Sequence, residues 1–545
     1  MIAVHLDRVT VRYTSDPIFS ELSWEIHNDR TVGLIGPNGC GKSSLLKLIT
    51  GQVPSDTGFI NLSKDLKIGV LHQDPVLNSE NSVFEETMLA SKDILEIESE
   101  LGKIEGKLGD PAVYGDEKAL VQVLDRQEQL LASYDLLGGA NYSGRVRSTL
   151  FELGFTESDL DLPTSVLSGG QKKLIEFAKL VITQPDLLLL DEPDNHLDLT
   201  GKSNLEKYIR AFKGGVVIVS HDRYLLDLLA DEIAELEDGR LTIFPGNYSE
   251  YAFEKQARLA LQQQRYQDQQ KEITRLENSA KRLLLWGHVH DNEKFIKRGK
   301  NILKRVERID KIERPVLERK KMGLELSGWR GSNKVLELEN LCKSFDGSAD
   351  TPPLIKNANM LLWHGERVGL VGPNGAGKSV LFRMILDHFS PDTGEIKIGP
   401  SIKLGYYAQE HDTLEFDRTL LETVRRAAPL SENAAVSFLG RFLFSYRKVR
   451  ENIENLSGGE KSRLQIALLM LTGANFLLLD EPTNNLDIQS AEVLEEAISE
   501  FEGSVFVISH DRYFLDQVVD RIVELDQGTL TEYQGGYGEY MAAKA

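Results

Sequence analysis

Cysteine is nearly absent from this 545-residue chain: it has only Cys40 and Cys342. Two such distant residues exclude a disulfide framework or a cysteine metal cluster, and they point to a reducing, cytoplasmic setting. Long apolar runs are missing as well. None approaches the ~20 residues needed to cross a bilayer. The opening stretch, MIAVHLDRVTVRYTSD, lacks the charged, apolar and small-residue succession of a signal peptide. Positive charge is in deficit, with 63 Lys and Arg against 84 Asp and Glu and a formal net charge of −21. Such an average argues against a nucleic-acid partner unless the charge is unevenly spread. The composition, 41% hydrophobic and 27% charged, is that of a globular protein, and the length calls for about two or three domains.

What is present comes twice. GLIGPNGCGKSS (33–44) recurs as GLVGPNGAGKSV (369–380), LSGGQKK (167–173) as LSGGEKS (456–462), and VIVSHDRYLLD (217–227) as VFVISHDRYFLD (505–516). The intervals agree too. Lys42 to Gln73 and Lys378 to Gln409 are both 31 residues, Ser168 to Asp191 and Ser457 to Asp480 both 23, and Asp191 to His221 and Asp480 to His510 both 30. One interval differs: Gln73 to Ser168 is 95 residues but Gln409 to Ser457 only 48, so the first copy carries 47 extra residues. Two homologous domains follow. Short β-branched runs lead into each glycine loop, and continuous apolar runs such as DLLLL and GGVVIVS read as strands of a parallel sheet covered on both faces. The fold class expected is α/β.

Both glycine loops fit G-x-x-x-x-G-K-[ST] between a strand and a helix, where backbone N–H groups and the helix N-terminus cradle phosphate. The phosphate-contacting candidates are Gly36, Pro37, Asn38, Gly39, Cys40, Gly41, Lys42, Ser43 and Ser44. Their counterparts are Gly372, Pro373, Asn374, Gly375, Ala376, Gly377, Lys378, Ser379 and Val380. Lys42 and Lys378 would reach the β- and γ-phosphates, and Ser43 and Ser379 would ligate Mg²⁺. Asp191 and Asp480 end buried strands, where a carboxylate can hold Mg²⁺ through water. Glu192 and Glu481 follow at once, placed to polarise an attacking water. His221 and His510, in the repeated S-H-D, could hydrogen-bond the γ-phosphate.

This set resembles the ATP-binding-cassette ATPases, for which LSGGQ is a highly specific signature. The resemblance implies two composite ATP sites formed head to tail within one monomer. Ser457, Gly458, Gly459 and Glu460 would serve the Lys42 site, and Ser168, Gly169, Gly170 and Gln171 the Lys378 site. It also implies that Tyr13 and Phe345 stack on adenine and that Gln73 and Gln409 sense Mg²⁺ and the γ-phosphate.

Two segments narrow the class. Residues 251–330 contain 20 Lys and Arg against 11 Asp and Glu, a reversal of the chain's sign. Apolar residues at 273, 276, 280 and 283, then at 295, 302, 306 and 309, keep helical spacing, with Gly287 and Asp291-Asn292 read as the turn and Pro315 as the end. An antiparallel hairpin is expected, with arms roughly 35–50 Å long. Its tip, 281–305, has eight Lys and Arg against two acids. Lys281, Arg282, Lys297, Arg298, Lys304 and Arg305 would track RNA phosphates, and Trp286 would stack. The extra residues of the first copy, around 92–138, place Ile94, Ile97, Leu101, Ile104 and Leu108 at helical spacing, continued by Leu120, Leu124, Leu131 and Tyr134 after Pro111. This second hairpin is acidic, with five basic and eleven acidic residues over 92–137, which suits a basic protein partner.

Twin cassettes, an arm in the first and a charged helical linker resemble the ABC-F family of translation factors. The domains expected are 1–245, a first cassette with the arm inserted; 246–331, the linker; and 332–545, the second cassette. The resemblance implies binding at the E site of the large ribosomal subunit with ATP. The linker, as a P-site tRNA-interacting motif, would reach P-site tRNA, 23S-type rRNA and the peptidyl-transferase centre. The acidic arm would contact a ribosomal protein. The role would be regulation of translation or protection from ribosome-targeting antibiotics, with release on ATP hydrolysis and no membrane partner. The alternatives are a soluble ATPase subunit energising a separate transporter, and a DNA-associated ATPase, for which no long coiled coil or zinc site is visible. The chain departs from the family pattern at Asp194, where Thr is usual, at Asn485, Val380 and Lys173. Asp194 is expected either to repel phosphate or to face solvent, and the two ATP sites are expected to differ in rate.

Overall fold

The computed structural model of the chain describes residues 1–12, 17–73, 77–110, 116–289, 292–308, 330–345, 353–408 and 414–544. It falls into two compact units, 1–247 with 322–545, and 248–321.

The first unit holds two cassettes with one plan. In the first, a six-stranded sheet has the order Ile68–Leu71, Leu187–Asp191, Gly215–Val219, Thr31–Ile35, Glu232–Glu237, Arg240–Pro245, parallel except for the last pair. The second repeats it as Leu404–Tyr407, Phe476–Asp480, Ser504–Ile508, Arg367–Val371, Arg521–Asp526, Thr529–Gln534. Each cassette adds a three-stranded antiparallel sheet, centred on Ile2–Arg12 in the first and on Lys334–Lys343 in the second.

Every residue of Leu187–Asp191 and of Gly215–Val219 is buried, as expected of parallel strands covered on both faces. Alternation along the strand divides their side chains. Leu187, Leu189, Val217 and Val219 enter a core that includes the antiparallel sheet and the helix Lys42–Ile49. Leu188, Leu190, Val216 and Ile218 enter a second core with the helix Gly169–Ile182. Phe476 and Leu478 are divided from Leu477 and Leu479 in the same way. Burial on both faces fixes the register, since a slip of one residue would exchange the two sets. Asp191 and Asp480 are thereby held at the strands' carboxyl ends, where open α/β sheets bind ligands.

The extra hairpin of the first cassette consists of helices Lys92–Leu108 and Glu117–Leu136, packed on each other. Arg126 pairs with Glu100 at 2.6 Å, and the Tyr134 hydroxyl donates to Glu98 at 2.8 Å. Ile94 belongs to the cassette core and Tyr134 packs against it, so the root of the arm is anchored. The second helix is turned from its expected phase: Leu124 and Leu131 are each 45% exposed, whereas Leu130 is buried. The adjacent Leu130 and Leu131 offer two nearly equivalent stripes at 3/4 spacing, and the one containing Val123, Leu130 and Tyr134 faces inward. Pro111 lies outside the described residues.

The second unit is a helical hairpin. Its first helix, Tyr248–Val289, has 42 residues, about 63 Å at ~1.5 Å per residue, longer than expected. The reason is Gly287, which lies inside the helix rather than in the turn; one glycine costs only ~1 kcal/mol, too little to end a long helix. Asn292 caps the second helix, Glu293–Glu307, by accepting from Lys294 N at 3.1 Å. The two helices close on small residues: Ala280 is fully buried, and a Cβ on Gly299 would lie 2.8 Å from Leu284 Cγ. Lys281, Arg282, Lys297, Arg298, Lys304 and Arg305 are all exposed, and Trp286 is 61% exposed. His290, Asp291 and Pro315 lie outside the described residues.

Candidate functional site

Each phosphate loop turns into its helix through glycine. Gly41 and Gly377 sit at φ 104° and 101°, and a Cβ there would lie 2.4 Å from Ile18 Cγ2 and 2.9 Å from Leu354 Cγ. Lys42 Nζ folds back to the carbonyls of Gly36 and Pro37 at 2.8 and 3.2 Å, and Lys378 does the same to Gly372 and Pro373 at 2.7 and 2.9 Å. The lysines are thus buried at the centre of their loops. Gly36, Pro37, Cys40, Gly372, Pro373 and Ala376 shape the turns. Asn38, Gly39, Ser43 and Ser44, with Asn374, Gly375, Ser379 and Val380, line a cavity of about 1250 Å³ between the cassettes.

The cavity is shared head to tail. Asn38 of the first loop donates through N to Asp487 Oδ2 at 3.2 Å and through Nδ2 to the Asn485 carbonyl at 3.0 Å. Asn374 repeats both contacts on Asp198 and His196, at 3.1 and 3.0 Å. Ser457, Gly458 and Gly459 line the same cavity as Lys42, and Ser168 and Gly169 the same cavity as Lys378. Gly459 touches the opposite cassette so closely that a Cβ would lie 2.8 Å from both Asn38 Nδ2 and the Asn485 carbonyl. Gln171 and Glu460 also cap their helices: each reaches back to the backbone N–H of Ser168 or Ser457, at 3.1 and 2.9 Å, completing a capping box, and Glu460 lines the shared cavity. Gly170 packs under His196, with room for no Cβ.

The acidic turns converge on these loops. Glu192 accepts from Gln73 Nε2 at 2.8 Å and from Asn195 Nδ2 at 2.6 Å, with His221 Nε2 at 3.7 Å. Lys173 Nζ donates to the Glu192 carbonyl at 2.5 Å, so the lysine braces the turn. Glu481 accepts from the His510 backbone N–H at 3.3 Å and lies 3.5 Å from His510 Nε2. Both glutamates sit at φ 50°, a strained turn that aims the carboxylate. Burial pushes the Glu192 carboxyl above its usual range, with Asp191 adding to the effect. Burial and Asp480 push Glu481 up to about 8. Burial drives His221 down to about 3 and His510 well below the ordinary value, so both imidazoles are neutral hydrogen-bonding groups. Asp191 lies beside Ser43, raised by burial.

Phe345 is 58% exposed, packs edge-on to Phe389 at 6.0 Å and is not among the residues that line the cavity. Tyr13 and Gln409 lie outside the described residues. Asp194 does not face solvent. It is 6% exposed, lines the cavity and accepts from Ser220 Oγ at 2.8 Å, and burial raises its carboxyl although Lys202 opposes the shift. Sequence reasoning also missed residues that join the cassettes. Arg223 Nη1 donates to Glu495 Oε2 at 3.1 Å, its second nitrogen meets the other oxygen, and Arg512 pairs with Glu206. Their signal was in the repeat: an Arg follows S-H-D in both copies, and a Glu stands 15 residues after each strand-end Asp.

Comparison with known proteins agrees with this arrangement. A family model described as ABC transporter matches residues 19–195 and 355–484, and a second with the same description matches 234–326. Among the described residues no helix is long and apolar enough to cross a membrane. The energy-dependent translational throttle protein EttA of Escherichia coli (strain K12) is 35% identical over 532 residues, covering 96% of this chain and 92% of EttA. ABC transporter F family member 5 of Arabidopsis thaliana is 35% identical, covering 99% of this chain and 77% of the relative. In fold, the chain is similar to the archaeal ribosome recycling factor aABCE1, with a TM-score of 0.58 at 20% identity over 98% of this chain and 92% of that one. Two cassettes that share one cavity head to tail, a helical hairpin that lies between them in the sequence and these relatives place the chain in the ABC-F family of ATP-binding-cassette ATPases, enzymes that hydrolyse ATP.

Proposed function

We propose that the chain closes its two cassettes on two ATP molecules, binds the ribosome in that form and leaves it on hydrolysis. The observation that carries this reading is the hairpin tip. Its small residues face inward at Ala280 and Gly299, and eight Lys and Arg between 281 and 305 all face outward, on a chain with a net charge of −21. Cations held on a rigid helical surface with an exposed Trp286 match a folded RNA, through phosphates and through stacking. The relative EttA is named as a translational throttle. On this reading the protein is cytoplasmic, sits at the E site, and turns the hairpin toward P-site tRNA, 23S-type rRNA and the peptidyl-transferase centre. There it regulates translation or displaces ribosome-targeting antibiotics. The acidic arm, rooted at Ile94, meets a basic ribosomal protein.

At each ATP site the assigned work is positional. Lys42 and Lys378 hold the β- and γ-phosphates, and the helix openings at Ser457 and Ser168 meet the γ-phosphate from the opposite cassette. Glu192, held by Gln73 and Asn195, takes the proton of the attacking water while its oxygen bonds to the γ-phosphorus and the bond to the β-phosphate oxygen breaks. Glu481 does the same in the second site. The raised basicity that burial gives both glutamates suits that task. Mg²⁺ fits these residues. Asp191 Oδ1 is buried without a hydrogen-bond partner, next to the Ser43 hydroxyl, and Gln73 can add an amide oxygen. Ser43 and Asp191, with Ser379 and Asp480 in the other site, would hold the ion, and it would neutralise charge on the phosphates.

The test is sedimentation of Glu192→Gln/Glu481→Gln protein with ribosomes. ATP binding should survive, turnover should vanish and the protein should pellet with ribosomes in ATP but not in ADP. A variant that stays in the supernatant with ATP would refute ribosome binding in the closed form.

A further inference from the structure

Two residues that set the cassettes apart are neighbours in space. Asp194 stands where the second copy has Thr483, and Lys202, on the helix Leu199–Ala211, stands where it has Ala491. Both are buried. Lys202 Nζ donates to Asp222 Oδ2 at 2.8 Å and, across the interface, to the main-chain carbonyl of His510 at 3.0 Å. Burial opposes the ammonium, but Asp222 and Asp194 outweigh it and hold its pKa up at about 12, so it stays charged. Asp222 also faces Arg512 Nη2 at 3.6 Å. The pair Asp194 and Lys202 therefore adds one charge of each sign to the first cassette without changing the balance.

We propose that Lys202 is a one-way positioning residue: from the first cassette it fixes the His510 segment of the second for hydrolysis at the site containing Glu481, and its counterpart Ala491 cannot do the same for the site containing Glu192. The geometry is specific. The residue whose carbonyl Lys202 grips is the one whose N–H donates to Glu481 Oε2 at 3.3 Å and whose ring lies 3.5 Å from Oε1. The start of the same helix is tied to that site a second time, because its cap, Asp198, accepts from both Gly201 N at 2.8 Å and Asn374 N at 3.1 Å. The reverse link keeps the cap, with Asp487 accepting from Ser490 N and Asn38 N at 2.9 and 3.2 Å. It lacks the cation, because Ala491 has no donor to offer the carbonyl of His221. Asp222, at 2.8 Å, is the ion-pair partner of the buried lysine, and Asp194 adds a second acidic group nearby.

This inference rests on Glu192 and Glu481 being the water-activating residues. The experiment compares full-length chains with and without Asp194→Thr/Lys202→Ala, which installs the second cassette's own pair, removes one acidic and one basic group, and leaves Asp222 facing Arg512 at 3.6 Å. ATP turnover is measured in Glu192→Gln and Glu481→Gln backgrounds, with amide hydrogen exchange at 509–511 and at 220–222. In the Glu192→Gln background kcat should fall about tenfold or more, as small misplacements of catalytic groups do, with the KM for ATP within about twofold. In the Glu481→Gln background kcat should fall by clearly less than in the Glu192→Gln background. Exchange should rise at 509–511 and not at 220–222. Equal losses in both backgrounds, a loss confined to KM, or unchanged exchange at 509–511 would overturn the proposal. Turnover surviving in Glu192→Gln/Glu481→Gln would instead strike at the glutamates, and exchange, which does not depend on them, would still decide whether Lys202 holds the segment.

Discussion

Arg223 and Glu495 close the cassettes through a buried, two-pronged ion pair, 3% and 8% exposed, with the guanidinium carbon 3.9 Å from the centre of the Tyr513 ring. Burial already outweighs Arg223 at Glu495, whose carboxyl is raised above its usual range. Arg223→Met would leave that carboxyl with two choices on closure: ionised and unpaired, or protonated. Protonation sets the ceiling. Bringing a carboxyl of ordinary pKa about 4.3 to its neutral form at pH 7 costs about 3.7 kcal/mol, at about 1.4 kcal/mol per pH unit. That agrees with the ~3–5 kcal/mol penalty for removing one partner of a buried pair. In separated cassettes Glu495 would be hydrated, so the cost falls on closing, roughly 500-fold in that equilibrium. Energy transfer between dyes on the two cassettes of the Glu192→Gln/Glu481→Gln protein, titrated with ATP, would read it. The penalty should shrink as pH is lowered, by about 1.4 kcal/mol per unit, because protons then favour the neutral carboxyl. Arg223→Met/Glu495→Leu should recover most of the loss by removing both buried charges. Equal defects in the single and double variants, or a penalty indifferent to pH, would refute the argument.

Gly459→Ala should weaken ATP-driven closure, since its Cβ would press on Asn38 and on the Asn485 carbonyl at 2.8 Å; wild-type closure would show that the Lys42 site does not depend on that approach. Turnover carried by Glu481 in a Glu192→Gln chain should fall as pH drops through about 8, because the proton-accepting carboxylate is lost, and no step should appear near the ordinary histidine value of 6.5. A limb at the ordinary glutamate value of 4.5 would contradict the burial argument. Neutralising Lys281, Arg282, Lys297 and Arg298 should weaken ribosome co-sedimentation and flatten its salt dependence, by a slope of roughly 0.7–0.9 for each phosphate no longer neutralised. Trp286→Ala should impair the effect on translation more than binding, and basal ATP turnover should barely change in either variant. Tight binding of the four-charge variant at every salt concentration would reduce the hairpin to a linker.

The phosphate loops, strand-end acids and signature helices could be read from the chain because each is local. A strand, a glycine turn and a helix start lie within about a dozen residues, and their backbone geometry is set by the residues themselves. The resemblance to ATP-binding-cassette ATPases then implied that the copies face each other. Helix phase was less secure. Leu130 and Leu131 offer adjacent stripes, and burial in the folded arm distinguishes them, with Leu130 inside and Leu131 45% exposed. Gly287 reads as a turn, but a long helix absorbs it. The charges were beyond sequence altogether. The environment of Asp194 depends on Lys202, and Lys202 reaches His510, 308 residues away. Arg223 finds Glu495 at a separation of 272. A carboxylate in water and one sealed between two cassettes have the same letter, and burial together with the nearest opposite charge decides what it does.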